Sequence, residues 1–245
     1  MKKSALIIGR QPLIESIRSG QAIDKILLQR NTGGESIDEI KLLAREHRIP
    51  VQVVPAEKLG SLTKANHQGV VAFAGIVTYM PLQEVIDQVV GAGAVPLFVM
   101  LDGITDVRNI GAIARSAWCT GAQALIIPDK GVGALNEEAM KSSSGALGLI
   151  NVCRVPSLLK AIDDMHLNGI RVFTSEMHAE KKVFELPLAG PCCIIMGSED
   201  KGVQAYLRKA ADEHFTIPMA GAFDSFNVSV AAGIILYEAM KHRLP

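Results

Sequence analysis

The sequence has no excess of charge of either sign, because 25 Lys and Arg residues balance 25 Asp and Glu residues. Net charge therefore gives no argument for a polyanionic partner. No apolar run reaches the ~18 residues that a membrane span needs, and the apolar stretch after Met1-Lys2-Lys3-Ser4 is too short for a signal peptide. There is no repeat and no low-complexity block. With 49% apolar residues, the chain can bury a sizeable core.

Cysteine is scarce, and its spacing does not favour a metal site. The four cysteines are Cys119, Cys153, Cys192 and Cys193, and no pair has the C-x-x-C spacing of metal ligands. Cys192 and Cys193 lie in an apolar run, which predicts buried free thiols. Free thiols indicate a reducing compartment. We therefore expect a cytoplasmic protein that needs no metal and has no membrane partner.

The common nucleotide-binding and hydrolase motifs are also missing. No G-x-G-x-x-G follows a strand, since Gly131-Val132-Gly133 lacks the third glycine, and there is no P-loop. Neither H-E-x-x-H nor G-x-S-x-G occurs. These absences argue against a nucleotide-dependent oxidoreductase. A nucleotide-like ligand would have to bind by another geometry.

Charge and hydrophobic pattern divide the chain. Residues 1–75 hold 11 Lys and Arg against 7 Asp and Glu, whereas the remaining 170 residues hold 14 against 18. The first 76 residues alternate short strand and helix signals, including a capping box formed by Ser36 and Glu39. We predict a small α/β domain over 1–76, whose basic charge would fit a module that faces RNA, a linker with one helix over 77–95, and a second domain over 96–245. Ordinary fluctuation of surface charge explains the asymmetry equally well.

The second domain is predicted to be α/β with a mostly parallel sheet. Its strand candidates are continuous apolar runs, which are typical of strands buried on both faces; they are Leu97–Leu101, Ala124–Ile127, Arg171–Thr174 and Cys192–Met196. Helical segments separate them, as parallel strands require; these are Asn109–Thr120, Asn136–Ser143, Ser157–Leu167 and Val228–His242.

Three segments that follow predicted strands carry the candidate site residues. In the first, over 101–116, Asn109 is placed to cap a helix, and Gly111 would leave space on the helix face beside Arg115. A surface arginine and a plain cap explain the same pattern. In the second, Gly197 and Gly202 bracket a tight loop in which the carboxylate of Glu199 could hold an arginine or asparagine. An ordinary strand-to-helix turn is the alternative.

The third segment, over 217–232, leads into a helix that is apolar nearly all round and is therefore expected to be buried, with a subunit contact as one way to cover it. Asn227 and Ser229 are polar groups at the start of this helix, which we expect to be buried and to need partners. A simple helix cap would need only one of the two.

In this order, over about 130 residues, the segments resemble the three motifs of the SpoU family of RNA ribose 2'-O-methyltransferases, within the SPOUT superfamily. The segment Lys141–Ala146 and the whole of residues 1–76 are also similar to parts of the family, the latter to its substrate-binding domain. Phe226 stands where the family usually has leucine, which affects packing near the cofactor more than chemistry. The matching residues are Asn109, Arg115, Gly197, Glu199, Gly202, Ile217, Pro218, Ser225, Asn227 and Ser229.

The resemblance implies transfer of a methyl group from S-adenosyl-L-methionine to a ribose 2'-hydroxyl in structured RNA. With its separate N-terminal domain, the chain most resembles the family members that methylate a guanosine of 23S rRNA, so this is the expected target. A tRNA target and a non-catalytic RNA-binding protein are the alternatives. The family also implies a trefoil knot and a homodimer with a shared active site. The implied catalytic residues are Arg115, Asn109, Glu199, Asn227 and Ser229, and the implied cofactor-binding residues are Met196, Gly197, Gly202, Ile217, Met219, Phe226, Asn227 and Val228.

Arg115 is the group in these motifs that is expected to act on the hydroxyl, since no histidine or cysteine falls within them. A ribose hydroxyl is almost fully protonated at neutral pH, so its deprotonation needs help. An arginine side chain stays protonated in proteins. We therefore expect Arg115 to stabilise the developing alkoxide. The alternatives are that it relays the proton to the adjacent phosphate or, as the resemblance to the family implies, that it acts as a base.

Overall fold

A computed structural model describes residues 6–47, 49–177, 179–221 and 225–244. They form two compact units, Met1–Thr78 and Tyr79–Pro245. Residues 222–224 of the third motif lie outside the described residues.

The first unit is a four-stranded sheet with three helices. The sheet order is β1-β4-β2-β3, with β4 antiparallel to both of its neighbours and β2 parallel to β3. The apolar faces of α1 and α2 pack together in one core. The elements are β1 (Leu6–Ile8), α1 (Arg10–Arg18), β2 (Ile23–Gln29), α2 (Glu35–Glu46), β3 (Val51–Val54), α3 (Ala56–Leu62) and β4 (Val70–Ala74).

The predicted capping box of α2 is wrong. Gly34 is the N-cap residue, at φ 107°, and no side chain caps the helix. Ser36 lies one residue inside the helix, so its hydroxyl cannot occupy the cap position. Helix α3 was not predicted, because seven residues with a glycine among them give little periodicity.

The second unit is built on one seven-stranded sheet in which every pairing is parallel, in the order β7-β6-β5-β10-β8-β11-β9. The α/β prediction with a mostly parallel sheet is thereby confirmed; the trefoil knot stays a prediction. The elements are α4 (Leu82–Gly91), β5 (Leu97–Leu101), α5 (Val107–Cys119), β6 (Ala124–Pro128), α6 (Glu137–Ser142), β7 (Asn151–Val155), α7 (Leu158–Leu167), β8 (Arg171–Ser175), β9 (Lys181–Lys182), β10 (Cys192–Met196), α8 (Ala205–Ala210), β11 (Glu213–Thr216) and α9 (Val228–Lys241), with 3-10 turns at Ala146–Gly148 and Val183–Glu185.

Strands β5 and β10 form the centre of this sheet, and all ten of their residues are buried. Their alternate side chains, such as Phe98 and Ile195, pack with apolar residues of α4, α7 and α8. Helix α4 lies in the segment expected to be a linker, yet its buried residues belong to this core. None of the helices within the described residues combines the length and the apolar character that crossing a membrane requires.

The end of the chain is fastened to the sheet by one arginine. The guanidinium of Arg243, just beyond α9, donates to the carbonyl oxygens of Val95 (2.8 Å), Pro96 (3.0 Å), Leu188 (2.9 Å) and Gly190 (2.6 Å). Two of these carbonyls precede β5 and two precede β10. Five N–H donors in a fixed planar fork can serve this many acceptors at once. Arg243 therefore ties α9 to the amino ends of the two central strands.

We expect Arg243→Ala to lower the free energy of unfolding of the second unit by about 2 kcal/mol, because it leaves the carbonyls of Leu188 and Gly190 without the donor that the guanidinium supplies. The control Lys241→Ala removes only an exposed pair with Glu238 (2.8 Å) and should cost less than about 0.5 kcal/mol. Trp118, the only tryptophan, lies in this unit, so its fluorescence follows the denaturant transition. Equal denaturation midpoints for the two variants would contradict the proposed role of Arg243 in holding α9 against the sheet.

Candidate functional site

The candidate site lies where the two central strands of the second unit end. β5 and β10 run parallel in register, with Leu101 opposite Met196, and the N–H of Asp102 donates to the carbonyl of Met196 (2.9 Å). The chain moves outward from β5 to one side and from β10 to the other. Ligands of open parallel sheets bind at such a switch point. The loops after the two strands therefore meet at one place.

The loop after β10 is a tight turn that only glycine permits at its first residue. The N–H of Ser198 donates to the carbonyl of Gly202 (3.2 Å), and the N–H of Gly202 donates back to Ser198 (2.8 Å). A Cβ at Gly197 would overlap the backbone of Gly202 and Val203. Gly202 itself has φ 63° but open space around it. The turn places Glu199 at its tip.

Glu199 joins the three predicted motifs through one carboxylate oxygen. Its Oε1 accepts from Nδ2 of Asn109 (3.1 Å), from Nδ2 of Asn227 (2.6 Å) and, at 3.5 Å, from the N–H of Val228. Nδ2 of Asn227 also donates to Oδ1 of Asn109 (3.2 Å). The structure therefore brings Asn109, Glu199 and Asn227 into one hydrogen-bonded cluster, as expected for a carboxylate that holds asparagine.

Asn227 is the N-cap of α9, and Ser229 supports it. Oδ1 of Asn227 accepts from the backbone N–H (2.9 Å) and from the hydroxyl (2.6 Å) of Ser229. Asn227 is exposed and Ser229 half-buried, so the expected buried start of the helix is wrong. The capping alternative is correct, but the cap is also bonded to Glu199. One amide group thereby begins the helix and completes the cluster.

Asn109 does not cap α5, contrary to expectation. The N-cap is Asp106, whose Oδ1 accepts from the backbone N–H of Arg108 (2.8 Å). Hydrogen bonds from the Arg108 side chain and backbone lower the pKa of Asp106. Asn109 is the third residue of the helix. Because its own helix does not use its amide, the group is free to bond Glu199.

Arg115 is exposed and lies further along α5. Six residues separate it from Asn109, which is roughly 9 Å along a helix axis. Within the described residues, no hydrogen bond or ion pair joins Arg115 to the cluster. A Cβ at Gly111 would overlap Ser142 and the carbonyl of Ala139, both in α6. The expectation that Gly111 leaves space beside Arg115 is therefore wrong, because α6 fills that space.

Two adjacent cavities open at the cluster. The polar cavity, of about 430 Å³, is lined by the loop after β5, by Asn109 and by Glu199. The apolar cavity, of about 570 Å³, lies on the β8 side of β10. They share Ser198–Gly202 and Val228. Every predicted cofactor residue except Asn227 lines the apolar cavity; they are Met196, Gly197, Gly202, Ile217, Met219, Phe226 and Val228.

Five residues that line the apolar cavity on its β8 side were missed by the sequence analysis. Ser175, Glu176 and Met177 come at the carboxyl end of β8, and Arg208 and Thr216 complete that part of the wall. The signal that located the three motifs, polar residues directly after a buried strand, applies here too. The predicted strand Arg171–Thr174 ends immediately before Ser175.

We expect Gly197→Ala to cost about 3 kcal/mol of unfolding free energy, because the added methyl group meets backbone that cannot move without opening the turn. Gly202→Ala has room for the methyl group and should cost about 1 kcal/mol, the strain of a left-handed backbone. Denaturant unfolding of the two variants, followed by Trp118 fluorescence, measures both costs. If Gly202→Ala were the more destabilising change, the proposed steric role of Gly197 would be wrong.

Two family models together match almost the whole chain. The model described as SpoU rRNA Methylase family matches residues 96–237. The model described as RNA 2'-O ribose methyltransferase substrate binding matches residues 6–80. The second match coincides closely with the first compact unit.

Individual relatives agree with these models. A putative TrmH family tRNA/rRNA methyltransferase of Staphylococcus epidermidis is 34% identical over 238 residues, 97% of this chain and 96% of that protein. The SpoU methyltransferase AviRb of Streptomyces viridochromogenes, crystallised with the cofactor AdoMet, superposes with a TM-score of 0.62 at 26% identity, covering 97% and 90% of the two chains. The TrmH/SpoU tRNA modifying enzyme of A. aeolicus superposes with a TM-score of 0.54 at 25% identity. The superposition covers 66% of this chain and 84% of that one.

One family model covers more than half of the sequence, and a relative at 34% identity aligns over nearly all of it. On these grounds the chain belongs to the SpoU rRNA methylase family.

Proposed function

We propose that this chain, an S-adenosylmethionine-dependent RNA methyltransferase, methylates a ribose 2'-hydroxyl of a guanosine in 23S rRNA. The observation that carries the proposal is the cluster of Asn109, Glu199 and Asn227 at the junction of two cavities. A group-transfer enzyme needs its donor and acceptor in adjacent pockets with polar groups between them. The two cavities and the shared wall at Glu199 supply this arrangement.

The residues of the apolar cavity fit the cofactor. Its volume of about 570 Å³ lies within the range of small-ligand sites. Met196, Ile217, Met219 and Phe226 offer apolar surface to an adenine ring. Gly197 keeps the cavity wall at backbone level, so that a ligand can approach N–H and C=O groups directly. When bound, S-adenosylmethionine supplies a methyl group that is already strongly electrophilic.

The polar cavity is proposed to hold the acceptor ribose. Within the described residues its wall contains carboxylates, amides, hydroxyls and the ammonium group of Lys201, but no histidine or cysteine. Glu199, with Asn109 and Asn227 fixed to it, would orient the 2'-hydroxyl. The proton that leaves the hydroxyl would pass to water or to the adjacent phosphate of the RNA, and Arg115 is the proposed cation that stabilises the negative charge developing on the oxygen. Since Arg115 is not bonded to the cluster of its own chain, we propose that it acts across the interface of a homodimer, as the resemblance to the family implies.

We expect Arg115→Ala to slow single-turnover methylation of RNA by roughly 10²-fold, the scale for losing one preorganised charge. Its affinity for S-adenosylhomocysteine should stay within a few-fold, because Arg115 does not line the apolar cavity. Arg115→Lys should restore little, since an ammonium cannot reproduce the planar fork. Calorimetry measures binding, and incorporation of labelled methyl groups measures the rate.

The matched control for that experiment is Lys160→Ala, which removes an exposed cation from α7 and should leave both quantities unchanged. Parental rates in a folded Arg115→Ala protein would refute the role of Arg115. Absence of cofactor binding to the parental protein at millimolar concentration would refute the methyltransferase proposal itself.

The homodimer is proposed on one face of α9. The opposite face is buried in its own chain, so a single copy covers the helix on one side only. Val230, Ile234 and Tyr237 follow the i, i+4, i+7 spacing of one helix face and are 50%, 36% and 59% exposed. An apolar stripe of this kind marks an interaction surface. A second copy of the chain is the proposed cover.

We expect Ile234→Asp to convert the protein from a dimer to a monomer, because a charge in an apolar interface is left without a partner. Leu167→Asp, which alters an 86% exposed apolar residue at the end of α7, should remain dimeric. Sedimentation at micromolar concentration, with circular dichroism to verify folding, distinguishes the two states. A parental protein that sediments as an active monomer would overturn the proposal.

The most specific part of the proposal is the identity of the target RNA. The match of residues 6–80 to a substrate-binding model and the excess of basic residues there support a large structured RNA. A tRNA remains the second candidate, since the A. aeolicus relative modifies tRNA, although its similarity covers only 66% of this chain. The intact hydrogen-bonded cluster argues against a non-catalytic RNA-binding protein.

The proposed cellular compartment is the reducing cytoplasm. All four cysteines are free, and three of them are buried in the second unit. Burial raises the pKa of Cys153 to about 12, so this thiol stays protonated and unreactive. Free thiols of this kind are what a protein of a reducing compartment retains.

A further inference from the structure

The apolar cavity carries one charged wall that the three motifs do not include. Glu176 follows β8 and lines the cavity together with Ser175, Met177 and Arg208. β8 is the second strand from β5, with β10 between them, so its carboxyl end is about 10 Å from that of β5. Under the proposed function, the reactive part of the cofactor lies at the wall shared with the polar cavity. Glu176 therefore faces another part of the same ligand.

The carboxylate of Glu176 is held in place before any ligand arrives. Its Oε1 lies 2.9 Å from Nδ1 of His214, and Nη1 of Arg208 donates to its Oε2 at 3.5 Å. Nδ1 of His214 also lies 2.8 Å from Oγ1 of Thr174, which is fully buried. The backbone N–H of Glu176 donates to the carbonyl of Phe215 (2.7 Å). The side chain is 25% exposed, so it is neither free in solvent nor sealed off.

These contacts decide what kind of group the carboxylate can bind. A carboxylate has about four lone-pair positions, and the two neighbours use about half of them. The positive charge of Arg208 balances the negative charge of Glu176 and opposes the approach of an ammonium group. A hydroxyl group needs no net charge on its acceptor. Two carboxylate oxygens side by side suit two vicinal hydroxyls.

We propose that Glu176 binds the 2'- and 3'-hydroxyls of the cofactor's own ribose, and that this contact selects a ribonucleoside ligand for the apolar cavity. The sulfur is bonded to C5' of the ribose, so two carbon atoms, C5' and C4', separate it from C3', which places the two hydroxyls beyond the shared wall and toward β8. A carboxylate near the carboxyl end of a parallel strand is also how dinucleotide-binding sheets hold a ribose hydroxyl. The inference rests on the proposed function, because it takes the cavity to be the cofactor site.

The test compares S-adenosylhomocysteine with its 2'-deoxy and 3'-deoxy analogues by calorimetry on the full-length protein. The parental protein should bind the ribose form roughly 10-fold more tightly or better, the scale of one hydrogen bond to a charged group. The Glu176→Gln variant should bind the ribose form about 10-fold more weakly than the parent does. It should bind the deoxy analogues nearly as tightly as it binds the ribose form. Glu180→Gln removes an exposed carboxylate four residues away that does not line the cavity, and should behave as the parent.

A kinetic readout separates binding from general damage. Glu176→Gln should raise KM for the methyl donor and leave kcat at saturation unchanged, since Glu176 is remote from the reacting atoms. Matching thermal midpoints show that the variant is folded; if it is not, Glu176→Asp, which keeps the carboxylate but shortens its reach, should show an intermediate loss of discrimination. If Glu176→Gln discriminates ribose from deoxyribose as well as the parent, the inference is wrong and the proposed function stands. If the parent binds none of these ligands, both are wrong.

Discussion

A single carboxylate oxygen, Oε1 of Glu199, holds the site together. It accepts hydrogen bonds from Asn109 and Asn227, which lie 90 and 28 residues away along the chain. Because an ionised acceptor forms short, strong hydrogen bonds, one group can fix the first turn of α5 and the start of α9 relative to the loop after β10. The cluster is exposed, so its contribution is geometric more than energetic. It positions the wall shared by the two cavities.

That geometry exists because two parallel strands end at the same level. Strands buried on both faces must be apolar throughout, which is why β5 and β10 could be predicted from sequence. β7 and β11 could not, since Asn151, Arg154, Glu213 and His214 interrupt their apolar pattern. These residues are accommodated by tertiary partners: Arg154 packs on Tyr79, and Glu213 pairs with Arg171 and Lys181. The hydrophobic periodicity of a sequence does not show which distant residues will become such partners.

The difference between local pattern and tertiary neighbours also explains which features of the site could be predicted. Polar residues that follow apolar strands stand out in sequence, and Asn109 and Glu199 are predicted on that basis. Asn227 is predicted on another, as a polar group at the start of an apolar helix. What sequence spacing cannot give is the neighbour across a helix. Gly111 looked like open space beside Arg115, but it is the point where α5 packs closely on α6. Asp106 rather than Asn109 caps α5, because both residue types are good caps and only the backbone path decides between them.

Under the proposed function, the placement of charge follows from the chemistry assigned to the two cavities. The cofactor carries a positive charge on sulfur before transfer, whereas the acceptor hydroxyl develops a negative charge during it. Glu199 and Asp200 line both cavities and favour the cation, and Lys201 beside them offsets one of these two negative charges. A second fixed cation in the same wall would oppose cofactor binding, at a cost that grows as water is excluded. Arg115 lines neither cavity, so its charge can reach the acceptor only from outside the cofactor pocket. Approach of this residue from a second subunit would stabilise the alkoxide without weakening the binding of the methyl donor.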